Sequence, residues 1–215
     1  MLILKGVSQG FQDGTTFRWL FENLTFEFQK LESVVLWGPS GSGKTTLLNL
    51  LAGLQRPLNG SIVFNQNSPF DITEANEKEL LLYRRHRIGY IYQFFNLIPT
   101  LTVLENVELP LELTSQLNLL PFVRETLCEF GLENKLDSFP GTLSGGEQQR
   151  VAVARALAHQ PDIVLADEPT GNLDQKNAEM VVESLFSKVQ AIGATLVIAS
   201  HNPMVKDRAN QVLNL

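Results

Sequence analysis

The sequence predicts an α/β fold with a mostly parallel sheet, and three features carry that prediction. A glycine-rich segment lies between an apolar run typical of a buried strand and an apolar run typical of a helix. Two later apolar runs, at residues 163–166 and 194–199, each end in polar residues, as buried parallel strands do. Polar residues at the carboxyl ends of such strands meet at the edge of the sheet where α/β proteins bind their ligands.

The glycine-rich segment has the composition and setting of a phosphate-binding loop. It follows the strand-like run Val34–Trp37 and precedes the helix-like run Leu47–Ala52, which ends near Gly53. Its glycines let successive N–H groups point toward an anion, and the next helix adds its own free N–H groups and dipole. The alternative is a glycine-rich turn with a surface lysine, which does not account for the flanking strand and helix. The pattern predicts nucleoside triphosphate binding by Gly38, Pro39, Ser40, Gly41, Ser42, Gly43, Lys44, Thr45 and Thr46.

Two side chains of this loop suggest the chemistry that it supports. Lys44 would bring a positive charge to the terminal phosphates. Thr45 offers a hydroxyl group to a magnesium ion that bridges two of those phosphates. The loop alone does not separate one class of nucleoside triphosphatase from another.

Composition excludes several classes of protein. The chain has 215 residues, of which 44% are hydrophobic, so it can form one globular unit with a sizeable core and an inserted subdomain. Its net charge of -6 disfavours nucleic acid as the main partner, and the basic cluster Arg84–Arg87 is interpreted as the charged end of a helix. One cysteine, Cys128, excludes a disulfide framework and a zinc site. We expect no signal peptide and no membrane-spanning segment, so any spanning would fall to another chain.

The N-terminal part predicts strands. Residues Leu2–Val7 alternate apolar and polar side chains, and Phe17–Phe28 indicates one or two further strands. A turn is expected around residues 10–14 because two glycines and an aspartate cluster there. Phe11 stands alone among these polar turn residues. It is either a loop aromatic folded onto the core or a stacking platform for a nucleotide base.

After the glycine-rich loop the pattern predicts a strand at residues 60–64, a helix at 74–85 and a strand at 88–93. Gln93 sits where the last strand ends. Its amide is either ordinary strand-end polarity or a neutral ligand close to the magnesium ion. The next segment, Phe94–Pro99, is too apolar for an ordinary loop and is interpreted as exposed for a partner, with a core role as the alternative.

A small helical insertion is expected next, with helices over residues 102–108 and 121–130. It leads to Leu143–Arg150, which reads Leu-Ser-Gly-Gly-Glu-Gln-Gln-Arg and precedes a helix-like run over residues 151–159. This second helix start, opened by Ser-Gly-Gly, is either an anion-binding device or an ordinary helix cap at Ser144. From these residues alone the cap is favoured.

Acidic residues follow the strand at 163–166. Asp167 would hold magnesium, usually through water, and Glu168 lies one residue closer to the terminal phosphate, where it could polarise an attacking water. Asp174 opens a helix with apolar residues at helical spacing and is at least its cap. His201 follows the strand at 194–199 and either caps the next helix or donates a hydrogen bond to the terminal phosphate. A short last strand is expected around Val212.

Five motifs taken in chain order resemble those of the nucleotide-binding subunits of ABC transporters. They are the glycine-rich loop from Gly38, Gln93, the Leu-Ser-Gly-Gly motif from Leu143, the run from Ile163 through Asp167 and Glu168, and His201 after its strand. The Leu-Ser-Gly-Gly motif separates this family from other phosphate-loop nucleoside triphosphatases. The resemblance covers nearly the whole chain. It implies a P-loop NTPase core with a mostly parallel sheet, an N-terminal antiparallel β subdomain and an inserted α-helical subdomain at roughly residues 94–158, all in one ATP-binding domain over residues 1–215.

The resemblance also implies roles for individual residues, with ATP and Mg²⁺ as cofactors. Lys44 and the loop would cradle phosphates, while Thr45, Gln93 and Asp167 would serve the magnesium ion. Glu168 would be the general base and His201 would sense the terminal phosphate. Further ATP contacts would come from Phe11, which matches the aromatic residue that stacks on adenine, from Gln93, and, across a subunit boundary, from Ser144, Gly145, Gly146 and Asp174.

Within the family, residues 88–111 are similar to the branch of lipoprotein-release, macrolide-export and cell-division ATPases. The expected assembly is a head-to-tail homodimer, or a pair with another ATPase subunit, bound to an integral membrane permease. The expected location is the cytoplasmic face of the inner or plasma membrane, held there by that partner. Two alternatives remain at this point. One is a regulatory ATPase tether that signals without transport, and the other is a soluble ABC ATPase that acts on nucleic acid or ribosomes.

Overall fold

A computed structural model describes residues 1–65 and 69–215 of the chain. The strands in this part are β1 Leu2–Asp13, β2 Thr16–Phe28, β3 Ser33–Trp37, β4 Asn59–Asn65, β5 Pro69–Asp71, β6 Ile88–Ile91, β7 Ile163–Asp167, β8 Thr195–Ala199 and β9 Gln211–Asn214. The α-helices are α1 Lys44–Leu51, α2 Glu77–Arg87, α3 Val103–Thr114, α4 Leu120–Glu129, α5 Gly145–Leu157, α6 Gln175–Ala191 and α7 Pro203–Arg208.

The strands form two sheets. The larger is parallel throughout, in the order β6-β7-β8-β3-β9, and the smaller is antiparallel, in the order β2-β1-β4-β5. The predicted α/β fold, with a mostly parallel sheet and an N-terminal antiparallel β part, is therefore confirmed. Because β3, β7 and β8 are neighbours that run in one direction, the loops that follow them meet at the same edge of the sheet.

The parallel sheet separates two apolar clusters. Val35 of β3 packs into the cluster that includes the buried faces of α3, α4, α5 and α6, whereas its neighbours Val34 and Leu36 pack into the cluster under α1, α2 and the antiparallel sheet. Each strand residue thus alternates between two covered faces, which explains why these strands are apolar without interruption. Both faces of the sheet are covered, so the edge at the carboxyl ends of the strands remains for a ligand.

The N-terminal hairpin differs from the prediction. Strand β1 runs to Asp13 and pairs with a single long β2, with Phe11 opposite Arg18. Gly14 and Thr15 alone connect the two strands, which is the length of a tight hairpin loop. The expected turn around residues 10–14 was therefore too broad, because the ladder continues through residues whose polarity suggested a turn. Phe11 lies on a strand and not in a loop.

One helix extends beyond its predicted end, and another begins where its predicted cap lies. Helix α3 continues through Pro110 to Thr114, although proline removes one helical hydrogen bond. Val107 and Leu111 on either side of that proline are fully buried, so tertiary packing holds the helix together. Helix α5 begins at Gly145, as the predicted cap at Ser144 implies, because Ser144 forms a capping box with Glu147.

Smaller differences lie at element ends. Strand β6 ends at Ile91, so Gln93 belongs to the loop that follows it. Helix α2 starts after Asn76, which caps it, and its last turn carries the basic residues 84–87, as expected. Strand β5 was not predicted, because three residues give no periodic signal. Across the described residues, no helix combines the length and the apolar character that a membrane span needs.

Candidate active site

The glycine-rich loop joins β3 to α1 and presents the start of that helix. Gly43 caps α1 with φ of 99°, a left-handed conformation that glycine adopts at little cost. A Cβ atom at this position would lie 3.1 Å from Cβ of Leu20 on β2. Glycine is needed here both for the backbone angle and for the close approach of the antiparallel sheet.

Lys44 is 8% exposed and reaches back over the loop. Its Nζ atom donates hydrogen bonds to the carbonyl oxygens of Gly38 at 2.8 Å and Pro39 at 3.0 Å. The same Nζ atom lies 4.0 Å from Oε1 of Glu168. The ammonium group is therefore fixed between the loop and the end of β7, in the region where the loop N–H groups converge.

Thr45 and Asp167 bring two oxygen ligands together. The Thr45 hydroxyl donates a hydrogen bond to Oδ1 of Asp167 at 3.0 Å. Burial raises the pKa of Asp167, and the nearby Glu168 carboxylate adds to that effect, while the Thr45 hydrogen bond and the Lys44 charge oppose it. A hydroxyl beside a partly buried carboxylate is the oxygen donor set that Mg²⁺ prefers.

The Thr45 hydroxyl and the Asp167 carboxylate fit a magnesium ion that is also coordinated by phosphate oxygens of a bound nucleotide. Among the described residues, no cluster of three or more His, Cys, Asp or Glu side chains could hold a metal alone. A cation here would complete its coordination with ligand oxygens and water, as Mg²⁺ does in nucleotide sites. The residues present therefore suit a nucleotide-bound ion better than a resident structural metal.

Glu168 follows β7 in a strained conformation. Its φ of 43° is left-handed, which is uncommon for a residue with a side chain, and its N–H donates to the Ala199 carbonyl at 2.9 Å. Oε2 of Glu168 lies 3.0 Å from Nδ1 of His201, within ion-pair distance. The two atoms are not aligned as a hydrogen bond, and Oε2 accepts none from the described residues. A buried carboxylate oxygen with free lone pairs can accept a proton or a hydrogen bond from a ligand.

His201 does not cap the following helix. Asn202 does, because its side chain accepts a hydrogen bond from the Met204 N–H at 3.0 Å. His201 instead projects from the end of β8 with a side chain that is 73% exposed and lies close to the Glu168 carboxylate. Of the two sequence interpretations for this residue, the helix cap was wrong.

These groups surround one open cleft of about 730 Å³ between the two sheets. Phe11, which also lines this cleft, is 45% exposed on β1. The described residues that line the cleft are Phe11, Arg18, Leu20, Gly38, Pro39, Ser40, Gly41, Gly43, Lys44, Thr45, Thr46, Gln93, Glu168, Gly171 and His201. The sequence-based list missed Arg18, Leu20 and Gly171. Arg18 could be found only from the strand register that places it opposite Phe11.

Gln93 reaches the cleft from the loop after β6, next to the loop after β7. Its carbonyl oxygen accepts a hydrogen bond from Nδ2 of Asn172 at 3.2 Å. Its Nε2 atom lies 3.8 Å from the position that a Cβ atom of Gly171 would take. The two loops therefore contact each other beside the site.

Among the described residues, Ser42 and Asp167 were also predicted but do not line the cleft themselves, although Asp167 is hydrogen-bonded to Thr45, which does. Four further predicted residues lie elsewhere. Ser144, Gly145, Gly146 and Asp174 do not line the cleft in the described part of the chain. Ser144 caps α5, and its hydrogen bonds to Glu147 hold the pKa of that carboxyl below its usual range. Asp174 caps α6 by accepting a hydrogen bond from the Asn177 N–H at 3.0 Å. Both capping interpretations are thus correct.

Comparison with known families agrees with this geometry. The family model described as ABC transporter matches residues 21–171 of the chain. The chain belongs to the ABC transporter family. That range includes the glycine-rich loop, Gln93, the Leu-Ser-Gly-Gly motif and the carboxylate pair. Membership together with these residues makes the chain an ABC ATPase.

Curated relatives of this ABC ATPase include members of the expected branch. An uncharacterized ABC transporter ATP-binding protein of Mycobacterium tuberculosis is 47% identical over 99% of this chain and 85% of the relative. The lipoprotein-releasing system ATP-binding protein LolD of Geobacter metallireducens is 39% identical over 100% of this chain and 95% of the relative. The macrolide export ATP-binding/permease protein MacB of Campylobacter jejuni is 38% identical, but the match covers 33% of that longer protein.

Solved structures also resemble this ABC ATPase along its whole length. A dimeric structure of the bacterial ABC transporter cassette MJ0796 has a TM-score of 0.88 and 36% identity, over 100% of this chain and 94% of that one. A dimeric post-hydrolysis state of MJ0796 bound to ADP and Pi has a TM-score of 0.87 at the same identity and coverage. The P-loop NTPase fold inferred from the sequence is confirmed.

Proposed function

We propose that the chain is the ATP-binding and ATP-hydrolysing subunit of an ABC transporter complex. In this proposal two copies pair head to tail around two ATP molecules and drive a conformational change in a membrane partner. The observation that carries the proposal is the convergence of the glycine-rich loop, the Thr45–Asp167 pair, Glu168 and His201 on one cleft.

The cleft has a phosphate end and a base end. Loop N–H groups and the start of α1 bind the phosphates. The Lys44 ammonium, which donates hydrogen bonds to two loop carbonyl oxygens in this structure, donates to the terminal phosphates when ATP is bound. Phe11 offers an exposed aromatic side chain in the same cleft, and an adenine ring stacks on it. Phenylalanine provides the ring without the hydroxyl group of the tyrosine that is more common in the family.

Thr45 and Asp167 would hold a magnesium ion, and Gln93, which lines the same cleft, would be a further neutral ligand near it. When bound, the ion neutralises negative charge on the terminal phosphates and fixes their orientation. Asp167 must be ionised for this role. The raised pKa of Asp167 falls when a cation sits beside the carboxylate, since an opposite charge favours the ionised form.

Glu168 is the general base for in-line attack of water on the terminal phosphate. Its free Oε2 atom accepts a hydrogen bond from that water, and its left-handed backbone turns the side chain back toward the loop. His201 lies beside the carboxylate, and its ring would donate a hydrogen bond to the terminal phosphate. Catalysis then consists mostly of placement and charge neutralisation.

A second copy would supply the groups that this cleft lacks. Ser144, Gly145, Gly146 and Asp174 are exposed or lie at helix starts, away from the loop of their own chain. The start of α5 is a natural site for phosphate, and head-to-tail pairing would bring it to the second copy's ATP. The dimeric state of the MJ0796 cassette supports this arrangement.

The segment Phe94–Ile98 is the proposed contact with the membrane partner. Phe94 is 70% exposed, while Leu97 packs against the larger apolar cluster, so only part of the segment can form a docking surface. Leu81 and Leu82 on α2, a helix that packs against α3, are also exposed apolar residues. An exposed aromatic next to Gln93 would couple the state of the ATP site to the partner. The proposed location is the cytoplasmic face of the membrane.

Two other functions would use the same site. A regulatory tether would hydrolyse ATP and pass a signal without moving cargo, and it shares every residue described above. A soluble ABC ATPase acting on nucleic acid or ribosomes is disfavoured by the net charge of -6. The names of the LolD and MacB relatives favour export, lipoprotein release or mechanical work at a membrane.

Complementation between two damaged subunits tests the head-to-tail proposal. Lys44→Ala damages the loop and Ser144→Arg damages the start of α5, so each variant alone should lack ATPase activity. A mixture forms heterodimers in which one site joins the intact loop of one chain to the intact α5 of the other. We expect activity above the sum of the two variants. A mixture as inactive as its components, with both variants folded, would contradict the proposal.

A further inference from the structure

Asn177, in the first turn of α6, holds the carboxylate of Asp174 by two bonds. Its backbone N–H donates to Oδ1 of Asp174 at 3.0 Å, and its side-chain Nδ2 donates to Oδ2 at 2.5 Å. These bonds keep the pKa of Asp174 below its usual range. A helix cap needs only the backbone bond, so the side-chain bond is an additional restraint on the residue that ends the loop before α6.

The other side of the same amide rests on α5. Oδ1 of Asn177 lies only 2.6 Å from the position that a Cβ atom on Gly146 would occupy. The same oxygen accepts a long hydrogen bond from a guanidinium nitrogen of Arg150 at 3.4 Å. Asn177 therefore fills the space over the second glycine of the Leu-Ser-Gly-Gly motif, and the absence of a side chain at Gly146 makes room for it.

We propose that Asn177 is a positioning residue that joins the start of α5 to the loop before α6, so that both approach the second subunit's ATP as one unit. This inference rests on the proposed head-to-tail pairing. The amide suits the task because it has a donor for Asp174 and an acceptor for Arg150. An aliphatic side chain offers neither, and a carboxylate would lack the donor and repel Asp174.

Loss of the Asn177 side chain is expected to affect only the closure of the dimer. Asn177 does not line the cleft in the described part of the chain, so it has no contact with the ATP bound by its own loop. In the proposed dimer, Ser144, Gly146 and Asp174 meet ATP only when two subunits close. Holding these residues in place beforehand reduces the entropy that is lost on closure. Loss of Asn177 should therefore weaken closure and leave ATP binding by the monomer unchanged.

The test uses Glu168→Gln as the parent, so that ATP remains bound during measurement. Asn177→Ala and Asn177→Asp are compared with Glu179→Ala, which removes an exposed pair with Gln175 on the same helix. We expect both Asn177 variants to weaken ATP-driven dimerisation about tenfold, the size of one or two lost hydrogen bonds. Glu179→Ala should match the parent. ATP affinity of the dilute monomer should be the same in all four proteins.

A second measurement does not depend on dimerisation. Hydrogen exchange of the monomer, followed at the amides of residues 145–150, should become about threefold faster or more in Asn177→Ala but not in Glu179→Ala. Unchanged exchange at these amides, dimerisation equal to the parent, or an equal loss of monomer ATP affinity would each overturn the role of Asn177. A parent that fails to dimerise with ATP would count against the proposed function instead, and the exchange result would still decide the role of Asn177.

Discussion

Oε2 of Glu168 lies 3.0 Å from Nδ1 of His201, which joins the ends of the two neighbouring strands β7 and β8. Glu168 is held from both sides, since its Oε1 atom is 4.0 Å from the Lys44 ammonium. The carboxylate is thus oriented by two basic groups, while Oε2 accepts no hydrogen bond from the described residues. This arrangement suits a base that must receive a proton from water without moving far.

Glu168→Gln should therefore bind ATP and hydrolyse it very slowly. The amide keeps the shape of the side chain but loses its basicity, and a general base contributes about 10²- to 10⁴-fold to the rate. Steady-state phosphate release would measure the loss, and ATP retention on the purified variant would show intact binding. Turnover within a few fold of the wild type would show that Glu168 is not the base.

Lys44→Ala should abolish turnover. In the proposed site the Lys44 charge would face the phosphates from a largely buried position, where a single such contact is worth about 10²- to 10³-fold in rate. Phosphate release and equilibrium ATP binding are the measurements, with the exposed Lys78→Ala as a control for general charge loss. Near-normal ATP turnover in a folded Lys44→Ala protein would contradict the assignment of this segment as a phosphate-binding loop.

Phe11→Ala should raise KM for ATP about tenfold, because stacking on an aromatic ring contributes about 1–3 kcal/mol per base. The value of kcat should change little, since Phe11 offers a ring for the base and no group for the reaction at the terminal phosphate. Phe11→Tyr keeps the ring and is the matched control, with KM close to the wild type. An unchanged KM in Phe11→Ala would place the adenine elsewhere.

Phe94→Ser should separate ATP hydrolysis from coupling. Phe94 is largely exposed, so the substitution should leave folding and the ATPase activity of the isolated subunit nearly intact. Co-purification with the membrane partner and partner-dependent activity should both fall. Leu97→Ser is an informative contrast because Leu97 packs against the core, so that variant should lose thermal stability. If Phe94→Ser co-purifies with the membrane partner and keeps partner-dependent activity, the partner contacts another surface of the subunit.

His159→Gln should flatten the acid side of the stability profile. Burial lowers the pKa of His159 to about 4, and the ring contacts the Ile88 carbonyl at 3.2 Å. Between an unfolded pKa of about 6.5 and that folded value, the unfolded chain binds the proton more readily, so the wild type loses stability as pH falls. The expected loss attributable to His159 is about 3 kcal/mol by pH 4. Urea unfolding from pH 7 to pH 4 measures the free energy of unfolding of both proteins. If that free energy falls equally with pH in the wild type and in His159→Gln, the assignment is wrong.

Much of the site was predictable because its signals are local. The loop from Gly38, the strand end at Asp167 and the capping box at Ser144 each depend on a few adjacent residues whose chemistry is unambiguous. The larger errors came from long-range packing. Phe11 was assigned to a turn because its pairing with Arg18 depends on the strand register, which the sequence does not show. The predicted α3 ended before Pro110, whereas the helix continues because the burial of Leu111 outweighs the lost hydrogen bond.

Partner-dependent features had the weakest sequence signal. Exposure of Phe94 and burial of Leu97 within one apolar run could not be separated by composition, since both side chains are large and hydrophobic. The contacts of Asn177 with Asp174 and Gly146 could not be predicted either, because Asn177 and Gly146 lie on two helices and are about 30 residues apart in the chain. Such contacts are properties of the packed molecule.

The most direct test of the account is the mass of Glu168→Gln with and without ATP. Size-exclusion chromatography with multi-angle light scattering should give a mass near the 24.0 kDa of one chain without nucleotide and about twice that value with ATP. Ser144→Arg in the same background should stay monomeric, because the start of α5 would no longer accept the second subunit's ATP. A Glu168→Gln protein that binds ATP and remains at the mass of one chain would contradict the head-to-tail ATPase proposed here.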